Sequence, residues 1–283
     1  MQGYKSILVH VTTEEGAAAR LTLAADLAER FDAHLIGLGA GCINLPIEPL
    51  GDGAAAAMLI DIETGELKAE LHAAEQRFHD TVGSATGTAS AKVEWRAFQE
   101  FPATALAREA RAADLIILGP EWTPANSNFN TAANPGDVLL RAGRPVLLVP
   151  SAAVTSPPSR IIVAWKETRE AQRAVLDALP LMQGAEQVSV LEICEDEREI
   201  EAATARVTDV ARYLIRHGIG AEGSACRRQE ATFANQIELA AQAQSADLIV
   251  LGGYGHARLR EWVFGGVTRD LLKRSKYCCL LSH

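Results

Sequence analysis

The chain has 283 residues, 48% of them hydrophobic and 22% charged, and a net charge of −9. This balance supports a soluble globular protein, and its acidity argues against general nucleic-acid binding. No apolar run approaches the ~18–20 residues of a membrane span, and Met1-Gln2-Gly3-Tyr4-Lys5 leads straight into a strand with no secretory signal, so a cytoplasmic location is expected.

Along the chain, short β-branched runs alternate with longer amphipathic stretches. In residues 1–150 strands are expected near 6–11, 33–39, 92–98, 114–118 and 145–149, with helices near 15–31, 61–83, 102–112 and 136–142. A loop rich in Gly, Pro and Ala covers Gly41–Ala57, and a Pro/Ser linker runs from Pro150 to Pro158. Beyond it the expected strands are 161–165, 188–193, 221–226, 247–251 and 277–281. The helices between them are 168–179, with Thr168 as N-cap, 195–217, stopped by Gly218-Ile219-Gly220, 232–244 and 267–274. Such alternation means parallel strands joined by right-handed helical crossovers, with helices on both sheet faces: an α/β, doubly wound architecture.

The order of elements repeats because the sequence repeats. Ala113-Asp114-Leu115-Ile116-Ile117-Leu118-Gly119 returns as Ala246-Asp247-Leu248-Ile249-Val250-Leu251-Gly252, and Ser6–Val11 parallels Arg160–Trp165. Two tandem domains, 1–150 and 159–283, are the natural division. They differ in charge: the first 150 residues hold 11 basic and 19 acidic residues, a net −8, and the remainder 16 and 17, a net −1. The five cysteines show no Cys-x-x-Cys and no zinc spacing, which fits reduced thiols in a core; Cys278 and Cys279 should point to opposite sheet faces.

The two copies part company after the shared glycine. Gly252 is followed by Gly253-Tyr254-Gly255, nine residues, and Gly265-Gly266-Val267-Thr268, between a buried strand and a helix start. Glycines let backbone N–H groups approach a phosphate, and a helix N-terminus adds unpaired donors. Gly119 instead leads to Pro120, and its later helix starts at Asn134-Pro135-Gly136-Asp137, where Asp137 repels phosphate. At most one nucleotide per chain is therefore expected, in the second half.

Gly252-x2-Gly255-x9-Gly265 followed by Val267-Thr268 resembles the nucleotide-binding signature of the universal stress protein family, and the duplication makes the chain similar to its tandem-domain members. The resemblance covers roughly residues 5–149 and 160–281. It implies five parallel strands per domain in the order 3-2-1-4-5, and a last strand that pairs with another domain. It implies that Gly252, Tyr254, Gly255, Gly265, Gly266, Val267 and Thr268 cradle ribose and phosphates of ATP, with Mg2+. Ala164, Trp165 and Lys166 would edge the base pocket and Ile193 would offer backbone polar groups to the base. The family usually has an acidic residue at Lys166 and Ser or Thr at Gly266, so an adenine acceptor and a hydroxyl are missing.

No Ser-His-Asp set, catalytic carboxylate pair or metal motif is legible, and His256 is the only titratable side chain near the loop suited to proton transfer. The expectation is a stress-response protein, not an enzyme, acting through nucleotide-dependent contacts with a protein partner. The apolar last strands should pair within one chain, and a homodimer is a further expectation. The alternative is a scaffold without nucleotide, or a first domain carrying a metal at His10, His34 and Cys42 or a hydrophobic ligand beside Ile43, Leu45, Ile47, Leu50 and Met58. His72 and His79, seven apart, fit a solvated helix face.

Overall fold

A computed structural model describes all residues except 1–2, 15, 44–52, 87–91, 121–129, 152–156, 254–270 and 272–275. The described strands are β1 (Ser6–His10), β2 (His34–Ala40), β3 (Val93–Phe98), β4 (Leu115–Leu118), β5 (Val146–Leu148), β6 (Arg160–Trp165), β7 (Gln187–Cys194), β8 (Ala221–Arg227), β9 (Leu248–Gly252) and β10 (Cys278–Ser282). The described α-helices are α1 (Ala17–Phe31), α2 (Gly53–Thr86), α3 (Pro102–Glu109), α4 (Pro135–Ala142), α5 (Arg169–Met182), α6 (Ile200–Arg216) and α7 (Phe233–Ala243).

All ten strands form one sheet in the order β3-β2-β1-β4-β5-β10-β9-β6-β7-β8. Each half therefore has the order 3-2-1-4-5, and every pairing within a half is parallel. The halves meet where β10 runs antiparallel to β5, with Cys279 opposite Leu148 and Leu281 opposite Val146. The expected pairing of the last strands within one chain is thus present.

Strands β4, β5 and β9 are free of polar side chains along their whole length because both of their faces are covered. One core holds Ile7, Val9, Ile161 and Val163 against α1, α2, α5 and α6. The other holds Leu8, Ile116, Ile162 and Ile249 against α3, α4 and α7. Cys278 lies in the first core and Cys279 in the second, and all five cysteines are free thiols. Among the described residues no helix is long and apolar enough to cross a membrane.

Two helix starts depart from the sequence reading by more than a turn. α2 begins at Gly53, so the last residues of the expected Gly41–Ala57 loop are helical. The stretch 195–217 divides into a 3-10 turn, Glu197–Glu199, and α6. Gly218, at φ +78, ends α6. The helix expected at 267–274 lies outside the described residues except Leu271, which is helical and buried.

Candidate functional site

In a doubly wound sheet the ligand crevice opens beyond the carboxyl ends of the strands, where strand order reverses. In the second half β6 is flanked by β7 and β9, so the reversal lies between β6 and β9, with Ala164 opposite Leu251. Ala164, Trp165, Lys166, Ile193 and Gly252 come together at the carboxyl ends of these three adjacent strands. Lys166 is exposed, and Ala164 and Ile193 are half-buried. Trp165 is 8% exposed and packs in the α5–α6 core; its indole Nε1 is buried without a hydrogen-bond partner. Tyr254, Gly255, Gly265, Gly266, Val267 and Thr268 lie outside the described residues, as does His256.

The local sequence explains how this edge is held. Thr168 caps α5 by accepting from the Ala171 N–H at 3.3 Å. That places the first turn of α5 so close to β9 that a Cβ on Gly252 would stand 2.5 Å from the Ala171 nitrogen. Gly252 is thus required for helix–strand packing, a reason separate from phosphate approach. The Gly253 N–H donates to the Ser282 carbonyl at 2.8 Å, and its carbonyl faces His283 Nδ1 at 3.1 Å. That N–H is consequently spent on the sheet.

In the first half the reversal lies between β1 and β4, and the geometry differs. Arg20, in α1, is only 3% exposed. Its Nε donates to the His10 carbonyl at 2.8 Å, and its Nη2 to Thr12 Oγ1 at 3.0 Å. Its Nη1 fills the space into which a Cβ on Gly119 would project. Burial pushes the Arg20 pKa down to about 10, with Glu14 opposing and Arg77 adding to the fall, so it stays charged at neutral pH. His10, 3% exposed, has its Nε2 buried and unpartnered, and burial, then the nearby Arg20 charge, push its pKa down to about 3.

The three residues weighed as metal ligands are not brought together. His34 is in register with Ser6, at the opposite end of β1 from His10, and its Nε2 lies 3.3 Å from Glu94 Oε2. Burial raises the Cys42 thiol pKa, the wrong direction for a metal thiolate. Among the described residues no cluster of three His, Cys, Asp or Glu side chains could hold a metal. Of the apolar set proposed for a hydrophobic ligand, Leu45, Ile47 and Leu50 lie outside the described residues, Ile43 is half-buried and Met58 is exposed on α2. A groove of about 240 Å³ lies elsewhere, between α2 and β3, lined by Lys68, Leu71, His72, Glu75, Trp95 and Phe98 among others. His72 and His79 are exposed, as expected.

Solved structures share this architecture over the whole chain. A universal stress protein from Archaeoglobus fulgidus DSM 4304 superposes with a TM-score of 0.70 at 16% identity, covering 98% of this chain and 95% of that one. The chain has the universal stress protein fold. A functionally unknown protein from Pseudomonas aeruginosa PAO1 superposes at a TM-score of 0.57 with 19% identity, over 99% of this chain and 93% of that one. No family model and no curated protein matches the chain. In this fold Arg20 is the residue that the sequence reading passed over. It was detectable as a charge on the apolar stripe of α1, between Ala17, Leu21 and Ala24.

Proposed function

We propose that the chain is a cytoplasmic stress-response protein that binds an adenine nucleotide, ATP with Mg2+, in the crevice of its second domain, residues 159–283, and leaves the first, 1–150, without nucleotide. The observation that carries this reading is the Trp165 indole. A buried donor without an acceptor costs about 1–3 kcal/mol, and Trp165 Nε1, on the last residue of β6, is such a donor. A base or ribose acceptor would satisfy it. Ala164 and the Ile193 main chain would border the base, and exposed Lys166 would reach phosphate. Because the Gly253 N–H is committed to Ser282, the phosphate donors would come from Gly255, Gly265, Gly266, Val267 and Thr268, with Tyr254 and Gly252 alongside.

The bound nucleotide would control contacts with a protein partner instead of turning over rapidly. Calorimetry with Mg-ATP should give one site per chain. Gly255→Val should abolish the heat while leaving the thermal melt in place, and Trp165→Phe should weaken binding by roughly tenfold, the equivalent of one lost hydrogen bond to a charged or polar ligand. No heat at millimolar Mg-ATP with the unaltered chain would overturn the proposal.

A further inference from the structure

At the 154-residue offset that carries Ser6 onto Arg160, Ala17, Arg20, Leu21 and Ala24 in α1 correspond to Ala171, Ala174, Val175 and Ala178 in α5, and all eight are buried. Gly119, just after β4, and Gly252, the last residue of β9, correspond in the repeated Ala-Asp-Leu-Ile-x-Leu-Gly sequence. At this otherwise matched point one half has an arginine and the other an alanine. Arg20 crosses from α1 to the carboxyl end of β1, donates to the His10 carbonyl and to Thr12, and lies against Gly119. It therefore spans the β1–β4 reversal, the position a ligand takes in a doubly wound sheet.

We infer that Arg20 is a built-in occupant of the first crevice, a side chain that fills the ligand's space and uses the strand-end acceptor, and that Ala174, at the corresponding place, puts no such side chain into the second. The blocking is a matter of volume and of acceptors already used. Charge alone would not exclude a nucleotide, because a guanidinium attracts phosphate. Buried arginine is expensive unless its donors are satisfied, and here the acceptors come from the strand end itself: His10 O and Thr12 Oγ1. A Cβ on Gly119 would meet the guanidinium, so a larger residue there would have to displace it. Arg20, Thr12 and Gly119 thus form one fitted set, which Ala174 and Gly252 do not reproduce.

Two experiments test this, one of them independent of the nucleotide reading on which the role of Ala174 rests. Arg20→Ala should melt at a lower temperature than the unaltered chain. Ethylguanidinium at about 10 mM should restore much of that loss by binding the vacated space, without shifting the unaltered chain. An Arg20→Ala protein that melts unchanged, or that gains nothing from ethylguanidinium, overturns the inference. In the second arm Ala174→Arg, which puts a guanidinium at a position 1% exposed and should lower the melt, should where it folds bind Mg-ATP at least roughly tenfold more weakly. A folded Ala174→Arg that binds normally, or two nucleotides bound per unaltered chain, also overturns it. If the unaltered chain binds no nucleotide, or Ala174→Arg does not fold, the ethylguanidinium result alone decides for or against the built-in occupant.

Discussion

Asp114 Oδ2 accepts the N–H groups of Lys5 and Ser6 at 2.7 and 3.0 Å, and Asp247 Oδ2 accepts those of Ser159 and Arg160 at 2.6 and 3.2 Å. The repeated aspartate is a clamp that holds the start of each half's first strand beside its fourth. Removing a carboxylate acceptor that serves two backbone donors should cost about 1–3 kcal/mol. Urea unfolding of Asp247→Ala should show that loss, and Asp247→Asn, which keeps an acceptor oxygen, a smaller one. His10 gives a second residue-scale expectation. Its folded pKa, about 3, lies below the ordinary value of 6.5, so between these pH values the unfolded chain binds a proton that the folded chain does not. Stability is fully present above pH 6.5 and is lost as pH falls toward 3, at up to about 1.4 kcal/mol per pH unit for this one group. His10→Gln should flatten the dependence of the melting temperature on pH across that window. The aspartates were visible in the sequence as repeats, but their role as clamps needed coordinates, because the partners are backbone groups more than 80 positions away.

At the scale of elements, packing sets several positions that periodicity leaves open. β8 lies so close to α6 that a Cβ on Gly223 would stand 2.7 Å from the carbonyl of Val207 and 3.0 Å from the Thr208 nitrogen. Gly223→Ala should therefore force helix and strand apart at a cost of roughly 1–3 kcal/mol. Hydrogen exchange should localise the loosening to 200–227, and protection equal to that of the unaltered chain would contradict it. The strands were legible because runs such as Leu115–Leu118 are apolar throughout and bounded by turn residues. The start of α2 was not. Residues 53–58 are small or apolar and mostly exposed, so no buried face imposes a helical period on the sequence. Arg20 was hidden by the opposite prejudice: an arginine on a helix ordinarily marks the solvent side, and only its apolar neighbours at helical spacing betrayed it. The glycine at 252 was legible as special, yet the described reason for it is the backbone of α5 and not a ligand.

The whole molecule is a ten-stranded sheet with its central seam between β5 and β10. Separating the halves would bare Val146–Leu148 on one piece and Cys278–Ser282 on the other, both buried in the intact chain. Residues 157–283 produced alone should therefore self-associate through β10, measurable as a dimer by light scattering, whereas the full chain should keep this seam closed at every dilution. The seam also ties α5 to the first half through Tyr4, whose hydroxyl donates to the Asp177 carbonyl at 2.5 Å, while Ser282 Oγ donates to the Asp177 carboxylate at 2.9 Å. Because the seam is antiparallel, the two strand reversals open at opposite rims of the sheet, one carrying Arg20 and the other Ala174. Two copies of a single-domain protein joined in this way would be bound by symmetry to carry the same residue at both rims. Writing both copies into one gene product releases them from that obligation, so that one rim can be filled permanently from within without the other having to be.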